Sequence, residues 1–391
     1  MKHFSAQYIF TNNGPPLKRG VITTDDNGRI IAVEDTGGIL PERHSLEFYN
    51  GIIVPGFVNC HCHLELSWLK NRIPRNTGLG GFLSALTGIR SAGSNEADKA
   101  IESADKAMAD EGVILCADIC NSPATFSIKK KSRIKYISLL EVYGIDPSGA
   151  GMRINEIMKV AALAEENQLE WYIVPHSLYS VSLPLLRLIR EKSASNRVTS
   201  VHFLESADET RLLTEHAGPL MDAYDLILSP SAVIKPVADH VSAVIDEITP
   251  SGNLILVHNT VISREQVIKL RERPGIYYCL CPGSNRYITG SVPPLGLLTG
   301  ENCNTVIGTD SLSSNNKLSI LNELSLLQEE FPRITLPDLV TMATLTGARA
   351  LGAADEAGSI EPGKKPGLVL IRDADLEGMK LLPSSSSVRL I

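Results

Sequence analysis

From residue 52 to residue 308 the chain repeats one alternation: a short, continuous apolar run, then a longer stretch with helical spacing. The runs at 52–59, 113–118, 134–142, 170–175, 198–204, 253–258, 275–280 and 305–308 are dominated by Val, Ile and Leu. They are unbroken rather than alternating with polar residues, which is the mark of strands buried on both faces of a parallel sheet. Between them, 154–167, 183–195, 209–216, 263–273 and 318–330 carry apolar residues at i, i+3 and i+4. Eight such strand–helix units predict an α/β fold closed as a (β/α)8 TIM-like barrel over residues 54–357. No internal repeat is visible beyond this alternation.

The two ends of the chain read differently. Segments 20–24 and 29–34 flank Asp25-Asp26-Asn27-Gly28, and Asn-Gly between β-rich runs is a strong hairpin signal. Near the other end, 367–372 follows the turn Glu361-Pro362-Gly363, residues 384–387 read as a loop, and a last short run ends at Ile391. Both termini are therefore expected to be β-rich. The organisation predicted is a small composite β-sandwich from residues 1–53 and 358–391, with the barrel between its halves.

Composition narrows the function classes. Of the 391 residues, 43% are hydrophobic and 21% charged, enough for a large core and too little charge for disorder. A net charge of −7, with no basic run longer than Lys129-Lys130-Lys131, argues against a nucleic-acid binder. No apolar run approaches the roughly 18 residues that span a bilayer, and the first residues lack the apolar segment of a signal peptide. A cytoplasmic protein with no membrane partner is expected. The seven cysteines, Cys60, Cys62, Cys116, Cys120, Cys279, Cys281 and Cys303, show no C-x-x-C spacing and read as free, buried thiols of a reducing compartment.

The chemistry lies at strand ends. Of nine histidines, His3, His44, His216 and His240 fall in predicted loops or helices. The other five sit at the C-terminal ends of barrel strands: His61 and His63 after the first, His176 after the fourth, His202 in the fifth and His258 after the sixth. Asp310 closes the eighth. In a barrel these ends converge on one face, where active sites are built. His61 and His63 are two residues apart and project to one side. With His202 as a third nitrogen and Asp310 as an oxygen they make a ligand set for one catalytic divalent metal, zinc or iron, with a position left for water. The alternative is a set of hydrogen-bonded core histidines, which would account for any one of them alone.

The stretch VPGFVNCHCHLELS at 54–67 resembles the PGxxNxHxH opening of the amidohydrolase superfamily. PHSLYS (175–180), HFLES (202–206), LVHNT (256–260), CPGSN (281–285), GTDSLSSNN (308–316) and GSIEPGKKPGLVLI (358–371) follow in the family's order. The resemblance covers nearly the whole chain. It is to the mononuclear branch of deaminases and chlorohydrolases, since the fourth strand ends in His176 with no lysine to bridge two metals. It implies the composite β-sandwich and often a homodimer. HCHLELS departs from the HTHxxM opening of methylthioadenosine deaminases and looks more like that of aminodeoxyfutalosine deaminases.

The activity so implied is hydrolytic deamination, in which water replaces an exocyclic amine on a small aminopurine-like heterocycle or nucleoside. Asp310 would bind the metal and take the proton of water. His258 would orient that water, with a fourth-ligand role as its alternative. Glu205, three residues after His202, would protonate a ring nitrogen; its bland reading is a helix cap, which Ser206 serves equally well. The family position of His176 contacts substrate. Glu65, Trp68 and Glu141 leave strands toward the same face and are candidates for substrate contact, although Trp68 is as readily explained by packing. Asn285 and Ser311 read as turn or supporting groups. The competing functions are displacement of chloride or another ring substituent, and a catalytically silent binding protein on the same fold.

Overall fold

The computed structural model describes residues 1–40, 42–90, 96–227, 239–248 and 252–391. The first strands in chain order are β1 (Lys2–Ile9), β2 (Leu17–Lys18), β3 (Val21–Thr24), β4 (Ile30–Glu34) and β5 (Leu46–Pro55). Next come β6 (Phe57–Cys62), β7 (Val113–Cys120), β8 (Lys135–Val142), β9 (Glu170–Pro175), β10 (Val198–Phe203), β11 (Asn253–His258), β12 (Ile276–Leu280) and β13 (Thr305–Ile307). β14 (Leu368–Arg372) and β15 (Ser386–Arg389) close the chain.

Strands from both termini form one seven-stranded sheet in the order β15-β14-β5-β1-β3-β4, with β2 beside β1. The expected hairpin is present: β3 and β4 pair antiparallel. Asp25 accepts the backbone N–H groups of Asn27 at 2.9 Å and Arg29 at 2.8 Å across the turn. The sheet covers a separate apolar cluster that includes Phe4, Ile22, Ile53 and Leu370. Part of the segment expected as a loop, Ser386 and Ser387, pairs instead with Arg372 and Ile371.

The apolar run at 52–59 is two strands, not one. Ile52 and Val54 pair with Ile371 and Val369 in the terminal sheet, whereas the barrel begins at Phe57. The break is Gly56. A Cβ there would lie 2.5 Å from Ile114 Cγ2 and 2.7 Å from the Pro366 carbonyl oxygen, so only glycine lets the chain pass from one sheet to the other at this point.

β6 to β9 and β10 to β13 make two four-stranded parallel sheets. Bridges between Ser177 and His202 and between Cys62 and Asp310 join them into the barrel, reinforced by His202 N donating to the His176 carbonyl and Thr309 N to the His61 carbonyl, both at 2.9 Å. The interior holds period-2 sets such as Val58 with Cys60, Ile137 with Leu139, Ile255 with Val257, and Cys279 with Cys281. Their neighbours, among them Leu140, Phe203, Leu254 and Leu256, pack outward against helices such as Ala150–Glu166 and Ile320–Glu330. All seven cysteines are free and six are buried. Among the described residues no helix is long and apolar enough to cross a membrane.

Candidate active site

Four imidazoles from three strand ends meet in the barrel mouth. His61 is the last residue but one of β6, His63 follows the strand, His202 lies on β10 and His258 ends β11. Ring centroids are 4.9 Å apart for His61 and His63, 4.9 Å for His61 and His202, and 5.9 Å for His61 and His258. Nitrogens of His61, His63 and His202 all lie within 4.8 Å of one another. The Oδ1 of Asp310 is 3.5 Å from His63 Nε2 and 3.8 Å from His61 Nε2.

Local backbone geometry makes this convergence possible. Gly308 lies under His61: a Cβ would come 2.8 Å from the His61 Cβ and 2.8 Å from Cys279 Sγ. Asn59 ties β6 to the exit of β13, with its Nδ2 donating to Thr309 Oγ1 at 2.8 Å and its Oδ1 accepting from Thr309 N at 3.2 Å. Because Ile255 and Val257 face the interior, strict alternation would turn His258 outward. His258 instead has φ +79°, and Leu204 and Asp310 have φ +50° and +55°. Left-handed backbone is costly in bulky residues and concentrates at functional sites.

Hydrogen bonds set the ring states. His202 Nδ1 faces the His176 carbonyl at 2.9 Å; a carbonyl only accepts, so Nδ1 carries the proton and Nε2 offers its lone pair. Asn285 donates its amide to His258 Nδ1 at 3.2 Å, which leaves the ring proton on His258 Nε2, 3.7 Å from Glu205 Oε1. The second oxygen of Asp310 accepts the hydroxyls of Ser284 and, at 2.7 Å, Ser314, so Oδ1 is the one turned to the histidines.

Electrostatics follow from burial. His61 is held well below the ordinary imidazole range by burial and then by its neighbours His202, His63, His258 and His176. Burial likewise lowers His202 and His258. Burial pushes Asp310 up, but His63, His258, Ser284 and Ser314 outweigh it and hold the carboxyl below its usual range. Glu205 goes the other way: burial raises it to about 7. Neutral rings beside an ionised carboxylate are donors fit for a metal ion. Both ring nitrogens of His61 are buried without a hydrogen-bond partner, a cost that a coordinated cation removes at one of them.

The other candidates surround this cluster. His176 lies tilted against His202 with ring centroids 4.5 Å apart, and its Nδ1 meets the hydroxyls of Ser180 at 2.7 Å and Ser177 at 3.0 Å. Glu141 is buried with Oε1 3.5 Å from His202 Nδ1. Glu65 accepts from Ser122 Oγ at 3.0 Å and Asn121 N at 3.3 Å. Trp68 sits farther out, with the Arg72 guanidinium 5.3 Å from its ring centre. It lines a cavity of about 480 Å³ with Ala100, Ala104 and Leu318. Ser311 meets Ser314 at 3.1 Å and supports the Asp310 loop from behind.

Sequence reasoning missed the second layer. Glu209 accepts from the backbone of Glu205 at 2.8 Å and of Leu204 at 3.2 Å, pinning the turn that aims Glu205. Glu323 accepts from Gly283 N at 2.7 Å and Asn315 Nδ2 at 2.8 Å, tying together the loops that carry Ser284 and Ser314. Their signal was available as acidic residues on the apolar faces of amphipathic helices.

The chain is similar to known proteins in sequence and in fold. The sequence profile of the Amidohydrolase family matches residues 52–383. A Helicobacter pylori protein named adenosine deaminase is 28% identical over 331 residues, covering 82% of this chain and 79% of its own. The 5-methylthioadenosine/S-adenosylhomocysteine deaminase of Pyrococcus abyssi is 26% identical over 380 residues, covering 90% and 80%. In structure, H. pylori aminofutalosine deaminase in complex with methylthio-coformycin superposes with a TM-score of 0.81 over 96% of this chain and 93% of that one. At 23% identity that likeness concerns the fold.

Proposed function

The chain belongs to the Amidohydrolase family, and from that premise we propose that it is a metal-dependent hydrolytic deaminase of adenine-like nucleosides. The observation that carries the reading is Glu205. A carboxyl raised to about 7 by burial, 3.7 Å from a histidine that turns inward through left-handed backbone, is a poised acid. The names of relatives matched over most of the chain support the adenine-like substrate.

In this reading His61, His63, His202 and Asp310 hold one divalent metal, and three nitrogens with one carboxylate oxygen suit zinc, with iron as the second choice. When bound, such an ion supplies Lewis acidity, which brings the pKa of water from 15.7 toward about 7. Asp310 Oδ1 receives the proton as water adds to the amine-bearing carbon of the ring. His258 directs its Nε2–H at the oxygen and stabilises the charge that develops there. Glu205 gives its proton to the adjacent ring nitrogen. The tetrahedral carbon then expels the amine, which leaves as ammonia with the proton held by Asp310, while the added hydroxyl gives up its own proton to restore the Glu205 acid and the ring keeps a carbonyl. His176, Glu141 and Glu65 meet the substrate around the reacting carbon, and Trp68 borders its approach.

The test is ammonia release by zinc-loaded and iron-loaded protein on adenosine, 5′-deoxyadenosine, 5′-methylthioadenosine, aminodeoxyfutalosine, guanine and cytosine. Turnover of one adenine nucleoside is the expected result. Silence on all of them with metal bound, and chloride release from a chlorotriazine, would replace deamination with displacement.

A further inference from the structure

We infer that the buried ion pair of Asp118 and Lys129 is a positioning device for Glu65, and so sets the affinity for the part of the substrate that Glu65 meets. The inference rests on the deaminase reading above.

Asp118 lies on β7 and Lys129 ends the short helix Phe126–Lys129. Neither touches the histidine cluster through any bond described above. Both side chains are fully buried, with Lys129 Nζ 2.6 Å from Asp118 Oδ2. The ammonium also donates to Cys120 Sγ at 2.9 Å and Ser138 Oγ at 3.0 Å. All three of its hydrogens are thereby used, so the ion pair has one orientation. That orientation aims the other oxygen, Asp118 Oδ1, at the backbone N–H of Leu64, 2.7 Å away.

Leu64 stands between His63 and Glu65, where the chain leaves β6 for the 3-10 turn Leu64–Leu69. The exit of β7 grips this turn a second time, through Asn121 N and Ser122 Oγ on the Glu65 carboxylate. One segment therefore fixes Glu65 by backbone and by side chain. Fold alone does not explain the charges, since a buried ion pair is often no better than an apolar pair of the same volume. Beyond its bonded partners the ammonium lies 5.8 Å from the Phe126 ring centre and 5.4 Å from that of Tyr136. What the charges add is a carboxylate whose direction is locked, and charged acceptors make the stronger hydrogen bonds.

Two double variants separate position from packing. Asp118→Asn with Lys129→Met removes both charges but keeps an acceptor for Leu64 N. Asp118→Leu with Lys129→Met removes the acceptor too. Each is measured with adenosine, 5′-deoxyadenosine and 5′-methylthioadenosine, alongside metal content and hydrogen exchange at the Leu64 amide. The Leu/Met pair should raise KM about tenfold, the value of one lost hydrogen bond, with kcat and metal content within about threefold of the parent. The Asn/Met pair keeps an acceptor but loses the charge and the ammonium that fixes its direction, so it should also raise KM, by about threefold; a parental KM there would show that the charges position nothing and would overturn the inference. Exchange at Leu64 should quicken at least tenfold in the Leu/Met protein and by less in the Asn/Met protein. Parental KM and exchange in the Leu/Met protein overturn the inference, as does a fall in kcat that tracks metal loss. Ser122→Ala, which takes a donor from Glu65 without touching the ion pair, should raise KM in the same direction even if the Leu/Met pair does not fold; an unchanged KM there also overturns it. A parent protein inert on these three and on aminodeoxyfutalosine refutes the deaminase reading instead, and the Leu64 exchange still decides the positioning.

Discussion

The protonation of Glu205 is the sharpest quantity the structure offers. Burial raises its carboxyl from the ordinary glutamate range to about 7. A general acid works only while protonated, so the reaction is favoured below that value and fails as pH rises through it. The protonated fraction falls from about ten-elevenths at pH 6 to about one-eleventh at pH 8, an activity loss of about tenfold. Glu205→Gln keeps the size of the side chain and removes the transferable proton. Loss of a positioned acid costs about 10²–10⁴ in kcat, or about 3–5 kcal/mol of transition-state stabilisation. The assay is kcat/KM for ammonia release between pH 5.5 and 9 on zinc-loaded protein, parent and variant side by side. The parent should show a one-proton alkaline limb near 7, and the variant's residual rate should lack it. A profile flat between pH 6 and 8, or a Gln variant within tenfold of the parent at pH 6, would refute the assignment of Glu205 as the acid.

Asp310→Asn should lose nearly all turnover while its melting temperature stays within a few degrees of the parent's; measurable turnover within tenfold would remove Asp310 from the chemistry, and retained ligand affinity without turnover is the expected companion result. Ser284→Ala with Ser314→Ala frees Asp310 Oδ2 and should weaken metal binding about 10–100-fold in competition with a chelator, as loss of groups that orient a ligand does elsewhere. Lys129→Met alone strands the buried Asp118 carboxylate and should cost about 3–5 kcal/mol in urea unfolding; a loss below 1 kcal/mol would mean that water reaches Asp118.

The barrel was readable because its strands are buried on both faces, so each is an unbroken apolar run, and because chemistry in such a barrel is confined to the C-terminal ends. His61, His63, His202 and Asp310, all read at such ends, lie close together in the structure. The reading failed where a second physical demand interrupts the pattern. The run at 52–59 hides a change of sheet, because Pro55-Gly56 breaks the ladder while apolar residues continue on both sides; only the close approach of Ile114 and Pro366 shows why glycine is there. His258 is no failure of this kind: its place at a strand end put it at the mouth, although alternation alone predicts the opposite face and a left-handed backbone turns it inward. Asp118, Glu209, Glu323 and Lys129 are fully buried, or nearly so, yet they look like ordinary surface charges in the sequence. Some of their partners are distant along the chain: Leu64 lies 54 residues from Asp118, and Gly283 lies 40 from Glu323. A charge on an apolar face should therefore be read as a demand for a partner. Here Asp118, Glu209 and Glu323 are each met by a segment that carries a proposed site residue or a group bonded to one, so these three buried acids brace the proposed active site.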